Sequence, residues 1–187
     1  LRPFVYRRYL DFSAIEALRA MKLLIQQEVR RKGMADNIKL GSGGIREVEF
    51  IAQVFQLIHG GRDLSLQQRS LLGVLSNLRD QSYLPAAAVD EMQQGYEFLR
   101  YTEHALQAID DRQTQMLPDN EVDQARVASM LGFAGWTEFH LQLMHWRARI
   151  DGHFRQVIAD PDEDAAEQAA GAAGAEWLPL WEEAVEP

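Results

Sequence analysis

The chain of 187 residues contains no cysteine. This absence excludes a disulfide framework, a thiolate nucleophile and a zinc site with cysteine ligands, and it fits a reducing compartment. No apolar run approaches the roughly 20 residues that a helix needs to cross a bilayer, and the first residues do not form a signal-peptide pattern. We therefore expect a cytoplasmic protein that has no membrane partner.

Strand patterns are also nearly absent, whereas apolar residues recur at helical spacing along most of the chain. No segment repeats with a period of roughly 20 to 50 residues, which argues against a solenoid. Because 47% of the residues are hydrophobic, the chain can bury one core without covalent staples. We predict an all-α fold, a helical bundle of about five to seven helices over residues 1–159.

Caps and breaks divide this bundle into helices. The capping-box pair Ser13 and Glu16 begins the first predicted helix, Gly60 and Gly61 end the second, and Ser65 is the predicted N-cap of the third. The predicted helices cover about residues 13–32, 44–59, 65–78, 85–110, 121–131 and 137–159.

The chain changes character after residue 159. Residues 160–187 hold nine acidic residues and no basic one, and Ala and Gly predominate between residues 165 and 175. This composition predicts an acidic Ala/Gly-rich linker or tail. The apolar run from Trp177 to Trp181 either docks on another domain or belongs to a frayed terminus, and the sequence favours neither.

Positive charge is concentrated at the start of the chain, although the whole chain has a net charge of −9. Residues 1–46 contain ten Lys and Arg against four Asp and Glu. Part of this excess, at residues 30–32, complements the C-terminal end of the first predicted helix. The remaining candidates for a surface that faces nucleotide or phosphate are Arg7, Arg8, Lys39 and Arg46. A nucleic-acid partner is not expected, because the pI is near 5.0 and a broad basic surface is missing.

A glycine-rich turn between a lysine and an apolar helix is the feature with the most chemical content. It runs Lys39-Leu40-Gly41-Ser42-Gly43-Gly44-Ile45-Arg46. Glycines permit close approach of the backbone to a ligand, and the first turn of a helix offers unpaired N–H groups to an anion. The candidate phosphate- or nucleotide-binding residues are therefore Lys39, Gly43, Gly44 and Arg46. The alternative is a helix cap and turn without a ligand, because the residue order is not that of a P-loop.

The helix after the turn is apolar on two flanks and carries one polar line, formed by Arg46, Glu49, Gln53 and Gln56. These side chains need partners, either in a cleft shared with another domain or in a structural network with neighbouring helices. We expect Arg46 at a cleft and Gln56 in the structural network. Glu49 follows Arg46 by three residues, and this spacing predicts that its carboxylate supports the guanidinium.

No metal site is predicted. His140, His145 and His153 share one helix at offsets of five and eight residues, whereas two ligands on one helical face need about three or four. Glu47 and Glu49 point to different faces of their helix and cannot form an acid–base pair by themselves. We accordingly name no catalytic residue in this chain.

The turn and its flanks resemble bacterial glutamine synthetase adenylyltransferase, a bifunctional enzyme that also removes the adenylyl group. The resemblance covers roughly residues 1 to 160. It is carried by LRPFVYRRYLD at residues 1–11, NIKLGSGGIREVEFI at residues 37–51 and DRQTQMLP at residues 111–118. The Leu-Gly and Arg-Glu pairs around the last two glycines of the turn are similar to the N-terminal, adenylyl-removing half.

The resemblance implies the helical segment that follows a nucleotidyltransferase core. It implies a reaction in which phosphate releases ADP from adenylyl-tyrosine on glutamine synthetase, with Mg²⁺ and ATP, ADP or phosphate used by the parent enzyme. Implied partners are glutamine synthetase, the PII nitrogen-signalling protein and other domains of the parent chain. The family's catalytic Asp-x-Asp pattern does not occur before Lys39. We therefore expect a fragment that begins after the catalytic core, and that is inactive and holds no cofactor alone.

Three interpretations remain open. The chain completes an active site, or it is a non-catalytic docking and regulatory module for glutamine synthetase or PII. The place of the turn discriminates between these two: an open face beside the N-terminus indicates an active-site part, and burial between helices indicates a scaffold. The third interpretation, a related uridylyltransferase, fits the Gly-Gly-Ile-Arg-Glu context less well.

Overall fold

The computed structural model describes residues 33–110 and 114–158, together with separate positions nearer the N-terminus. Those positions are Tyr6, Ala20, Met21, Leu24, Gln27, Val29 and Arg31. The ones from Ala20 onwards are helical, but the predicted helix over residues 13–32 as a whole lies outside the described residues. The predicted tail over residues 160–187 lies outside them as well.

Residues 33–110 and 114–158 form five α-helices and one short 3₁₀ helix, and they contain no strand. They are α1 (Ile45–His59), the 3₁₀ helix (Leu64–Leu66), α2 (Leu71–Asp80), α3 (Ala86–Asp110), α4 (Glu121–Met130) and α5 (Trp136–Ile158). The all-α prediction is confirmed, and all helices except α2 begin and end within one residue of the predicted bounds. In the described ranges, no helix combines the length and apolar character that crossing a membrane requires.

The prediction that Ser65 caps the third helix is wrong, because α2 begins at Leu71. Asp63 accepts a hydrogen bond from the amide of Ser65 at 2.9 Å and starts the 3₁₀ helix there. The N-cap of α2 is Ser70, whose hydroxyl oxygen accepts from the amide of Gly73. The sequence thus offers two serines, and the second one caps the helix.

The side chain of Gln56 in α1 explains the interruption before α2. Its Nε2 donates to the carbonyl oxygens of Leu66 at 2.7 Å and of Gln68 at 2.9 Å. These two bonds hold the loop before α2 against α1 in a conformation that is not α-helical. The expected role of Gln56 in a structural network is confirmed.

The two longest helices, α3 and α5, make the most extensive helix–helix contact in the described ranges. Gly95 of α3 is buried at this contact, and a Cβ atom there would lie 3.0 Å from Cδ1 of Ile150. The absence of a side chain lets the two helices approach closely. Helix α1 packs on α2, α3 and α5, and its fully buried residues Ile45, Val48 and Ile51 complete the core.

One antiparallel β-bridge joins the segment before α1 to the loop after α3. The amide of Ile38 donates to the carbonyl of Gln115 at 2.9 Å, and the amide of Leu117 donates to the carbonyl of Asp36 at 3.1 Å. Two of the segments that carry the family resemblance therefore meet through backbone hydrogen bonds.

A cluster of three polar side chains joins α3 to α5. Glu91 accepts from Nε of Arg149 at 2.8 Å, pairs also with Nη2 of that arginine, and lies 2.6 Å from Nε2 of His153. Burial raises the pKa of Glu91, but the hydrogen bonds and charges of Arg149 and His153 outweigh it and hold the pKa below its usual value. The ionised carboxylate is the form that stabilises this contact.

We expect the Glu91→Gln variant to be less stable than the wild type at neutral pH, by about 0.5 to 1 kcal/mol for such a partly exposed cluster. Because the folded-state pKa is lowered, this contribution is complete above the unfolded-state pKa, near 4.5, and is lost as the pH falls through the folded-state pKa. Urea denaturation of both proteins between about pH 3 and pH 7 measures the difference. A difference that does not shrink in acid would contradict the assignment. The matched control is Glu97→Gln, an exposed residue of the same helix.

Candidate functional site

The glycine turn lies against α5 and not on an open face. Gly41, Gly43 and Gly44 are all buried. Gly43 has a φ of +67°, and a Cβ atom there would lie 2.0 Å from the backbone carbonyl oxygen of Arg147. Both the left-handed backbone and the close approach of α5 therefore require glycine at this position.

Gly44 is confined for a different reason. Its φ is −89°, a value that any residue adopts. A Cβ atom would nevertheless lie 2.7 to 2.8 Å from the carbonyl oxygens of Gly41, Ile38 and Lys39. The turn folds back on itself at this point, so glycine is needed for space alone.

The amides that a bound anion would meet have partners inside the turn. The Gly43 amide donates to Oε2 of Glu47 at 2.8 Å, so a carboxylate of the chain itself lies at the positive end of α1. The next four amides, of residues 44–47, donate to carbonyl oxygens of residues 38–44 at 3.0 to 3.1 Å. Residues 43–47 thus leave no amide unpaired for an anion. Phosphate binding by Gly43 and Gly44 stays a prediction. A bound phosphate would have to replace the internal acceptors of these amides.

Asn37 shapes the turn from within, and the sequence analysis missed it. The residue is 3% exposed, and its Oδ1 accepts from the amides of Lys39 at 3.0 Å and of Leu40 at 2.8 Å. Asparagine commonly bonds to amides two or three residues further on. Its place just before a glycine-rich stretch is a signal that could have identified it.

Arg147 of α5 holds the turn from outside and was missed as well. It is 8% exposed, its Nε donates to the carbonyl of Ser42, and its Nη2 donates to the carbonyl of Ala35, both at 2.8 Å. The Ser42 hydroxyl in turn donates to Oδ1 of Asp151 at 2.5 Å. Burial lowers the pKa of Arg147 against the opposing effect of nearby carboxylates. One buried guanidinium therefore bonds to the turn itself, at Ser42, and to the segment that precedes it, at Ala35.

The sequence carries a signal for Arg147. The residue interrupts an apolar face of α5 on which Leu143, Ile150 and Phe154 are buried. A charged group at such a position must find hydrogen-bond partners in the interior. The interruption therefore predicts a buried contact, although it does not say with which segment.

The two predicted cations lie at the edge of the turn. Lys39 is 34% exposed, and its Nζ lies 3.6 Å from Oε1 of Glu103 on α3. Arg46 is 52% exposed, and its Nη1 donates to Oε2 of Glu49 at 3.1 Å. The predicted contact between Arg46 and Glu49 is present. The charged ends of both cations remain accessible to a ligand.

Glu103 connects Lys39 to a third cation. This carboxylate is 3% exposed and accepts from Nη1 of Arg100 at 2.5 Å. Tyr96, one turn before Arg100, has a pKa raised mainly by burial; Arg100 lowers it, and the carboxylates of Glu49 and Glu103 raise it further. Lys39 of the turn, Arg46 of α1 and Arg100 of α3 thus lie around Glu49, Glu103 and Tyr96, and we call this surface the charged face.

A groove of about 310 Å³ opens beside the charged face. Its polar lining includes Glu49, Gln53, Arg69 and Tyr96, and its apolar lining consists of Ala52, Leu71 and Val74. The polar line of α1 therefore runs along this groove. Glu49, Gln53 and Gln56 all line it, and Gln56 also bonds to the loop before α2.

The described residues do not fit a metal ion. No group of three or more His, Cys, Asp or Glu side chains within them is placed to hold one. His153 bonds to Glu91, while His140 and His145 contact the tryptophan rings at positions 136 and 146. We assign no residue of these ranges to Mg²⁺. The described site thus consists of accessible cations beside a groove.

Comparison with known proteins shows to which family the chain belongs. The family model described as GlnD PII-uridylyltransferase matches residues 19–158, about three quarters of the chain. The chain belongs to this family. The match includes the glycine turn, the charged face and the groove, so all of these features lie within the family's own domain.

Within the GlnD PII-uridylyltransferase family, the chain is similar to proteins with a second name. The bifunctional glutamine synthetase adenylyltransferase/adenylyl-removing enzyme of Pseudomonas aeruginosa is 74% identical over 187 residues, which are 100% of this chain and 19% of that protein. The enzyme of the same name from Pseudomonas putida is 76% identical over 184 residues, 98% of this chain and 19% of the relative. The one from Hahella chejuensis is 50% identical over 181 residues, 97% of this chain and 18% of the relative.

These relatives confirm the resemblance to glutamine synthetase adenylyltransferases. The chain spans about a fifth of the length of the curated relatives it matches. The description of the matching family model names a PII-uridylyltransferase, whereas the relatives of high identity are named as adenylyltransferases. The helical domain is therefore common to proteins of both names.

Proposed function

We propose that this chain is the helical part of the adenylyl-removing half of a glutamine synthetase adenylyltransferase. In that reaction an oxygen of phosphate attacks the adenylyl phosphorus, the bond from phosphorus to the tyrosine oxygen breaks, and ADP and tyrosine are released. The parent enzyme acts in the cytoplasm on glutamine synthetase and uses nucleotide and Mg²⁺. Its Asp-x-Asp carboxylates belong to another part of the parent, so the chain alone is inactive.

One observation carries this proposal. The relative from Pseudomonas aeruginosa, whose name includes the adenylyl-removing activity, is 74% identical to this chain over its full length. The choice of the removing half rests on residues 40–47, where Leu-Gly precedes and Arg-Glu follows the end of the turn. The accessible cations of the charged face are consistent with an anionic substrate.

The role we assign to the site belongs to side chains. We infer that Lys39 and Arg46 neutralise phosphate charge and that Glu49 orients Arg46. Gly43 and Gly44 contribute through the shape of the turn, since their amides bond internally. Cations that are held in place before reaction stabilise the charge that develops in phosphoryl transfer.

We expect Arg46→Ala and Lys39→Ala each to slow phosphate-dependent ADP release by about tenfold to a hundredfold in the full-length enzyme, the effect of losing one hydrogen bond to a charged group. The measurement is ADP formation from adenylylated glutamine synthetase at varied phosphate concentration. Adenylylation by the other half should be unchanged.

The matched control is Arg126→Ala on α4. Arg126 is 59% exposed and pairs with Asp123 three residues before it, as Arg46 pairs with Glu49 three residues after it. This variant should keep the wild-type rate. Thermal unfolding is measured in parallel, because Lys39→Ala leaves the buried Glu103 with Arg100 as its remaining ion-pair partner among the described residues. Wild-type rates in both site variants would refute the phosphate role.

A specific observation favours a second candidate, the docking and regulatory module for glutamine synthetase or PII. The turn is enclosed against α5 and its amides are paired, which is the arrangement expected of a scaffold. In this case Lys39→Ala and Arg46→Ala would leave the rate of ADP release unchanged. They would instead alter its response to added PII protein.

A further inference from the structure

The groove beside the charged face contains two polar side chains that form no hydrogen bond or ion pair within the described part of the chain. Gln53 and Arg69 are both exposed and line the groove, one on α1 and one on the segment before α2. Neither side chain makes a hydrogen bond or ion pair with a described residue. By contrast, the neighbouring Gln56 and Gln68 both donate to carbonyl oxygens of the loop.

The groove is continuous with the predicted phosphate site. Glu49 lines the groove and also accepts from Arg46, so one carboxylate belongs to both. A phosphate group held by Arg46 would therefore lie next to the groove wall that Glu49 forms. Whatever is covalently attached to that phosphate group can extend along the groove.

The lining suits a stretch of polypeptide. A side-chain amide such as Gln53 both donates and accepts, as a peptide backbone does, and a guanidinium such as Arg69 donates to carbonyl or carboxylate oxygens. Ala52, Leu71 and Val74 give apolar contact between these groups. A volume of about 310 Å³ admits a short segment and excludes a folded element.

We propose that this groove binds the polypeptide segment next to the adenylylated tyrosine of the protein substrate. The inference rests on the proposed function, because it takes the substrate to be an adenylylated protein. It assigns Gln53 and Arg69 to recognition of the protein part, separate from Lys39 and Arg46, which meet phosphate. Neither Gln53 nor Arg69 takes part in the chemical step.

The test uses the full-length enzyme with Gln53→Ala and Arg69→Ala combined, and two substrates. One substrate is adenylylated glutamine synthetase; the other is O-adenylyl-N-acetyltyrosine amide, which carries the same reacting group and has no flanking residues. We expect KM for the protein to rise about tenfold, from the loss of one or two hydrogen bonds, with kcat unchanged. KM for the small compound should not change.

The controls lie on surfaces away from the groove. Gln94→Ala on α3 and Arg126→Ala on α4 remove the same side-chain types from exposed positions. An unchanged KM for the protein in the groove variant would overturn the proposal. An equal rise for both substrates would overturn it too, because the groove would then hold the adenylyl group or another segment of the parent.

A direct binding measurement separates this inference from the proposed function. Biolayer interferometry gives Kd for adenylylated glutamine synthetase without any turnover. If the wild-type enzyme releases no ADP but the groove variant binds the protein about tenfold more weakly, the docking role stands and the phosphorolysis falls. If binding and KM are both unaffected while the wild type releases ADP, the docking role alone is wrong.

Discussion

Replacing Gly43 by alanine is expected to destabilise the chain by about 2 to 5 kcal/mol. The φ of +67° is unfavourable for alanine, and the new Cβ atom would lie 2.0 Å from the carbonyl oxygen of Arg147. The atom in the way belongs to the backbone of a long helix, so it cannot be displaced by a change of rotamer. The turn must move away from α5. Urea denaturation of the 187-residue chain measures the loss.

Gly132 provides the control that separates the two causes. It has a φ of +81°, and a Cβ atom there would meet nothing within 4 Å. Gly132→Ala therefore reports the unfavourable backbone conformation alone, about 1 to 2 kcal/mol. If the two substitutions prove equally destabilising, the contact with α5 is not what requires glycine at position 43.

Replacing Arg147 by methionine is expected to destabilise the chain by about 2 to 3 kcal/mol. Methionine keeps much of the volume, but it leaves the carbonyl oxygens of Ala35 and Ser42 without their donors. The turn and the segment before it then lose two hydrogen bonds to α5, although Ser42 still donates to Asp151, and we expect phosphate-dependent activity of the full-length enzyme to fall with them. Arg147→Lys should be intermediate, because one ammonium group does not reproduce the fork of the guanidinium.

Arg149→Met is the control for this prediction. Arg149 lies two residues further along the same helix, is 50% exposed and pairs with Glu91 at the surface. Exposed ion pairs of this kind contribute about 0 to 1 kcal/mol. Urea denaturation measures the free energy of unfolding of both variants. Equal losses of stability would mean that the buried hydrogen bonds of Arg147 are not what stabilises the chain.

The helices could be predicted from the sequence because their signals are local. The positions of α1, α3, α4 and α5 follow from apolar periodicity and from terminal glycine, proline and asparagine residues, which act within one or two turns. The start of α2 could not be predicted in the same way. The loop before α2 is bonded by Gln56, a residue of α1 whose side chain donates to two carbonyl oxygens of that loop.

The candidate site also has contacts that the sequence predicts and contacts that it does not. The contact of Arg46 with Glu49 depends on spacing within one helix, and the sequence predicts it. The partners of the turn do not follow from spacing, because Arg147 lies more than a hundred residues beyond Ser42. In the sequence the glycines indicate an anion site, because the sequence does not show which segment packs against them. Contact with α5 gives them a second reason to be glycine.

The β-bridge between residues 36–38 and 115–117 tolerates a change of side chain, but it does not tolerate a change in the length of the loop after α3. Its hydrogen bonds join backbone groups, so exposed side chains such as Met116 can change without breaking it. An inserted or deleted residue in the loop after α3 would instead shift the pairing by one position. Relatives should therefore keep the number of residues between α3 and the bridge, even where an exposed side chain such as Met116 differs.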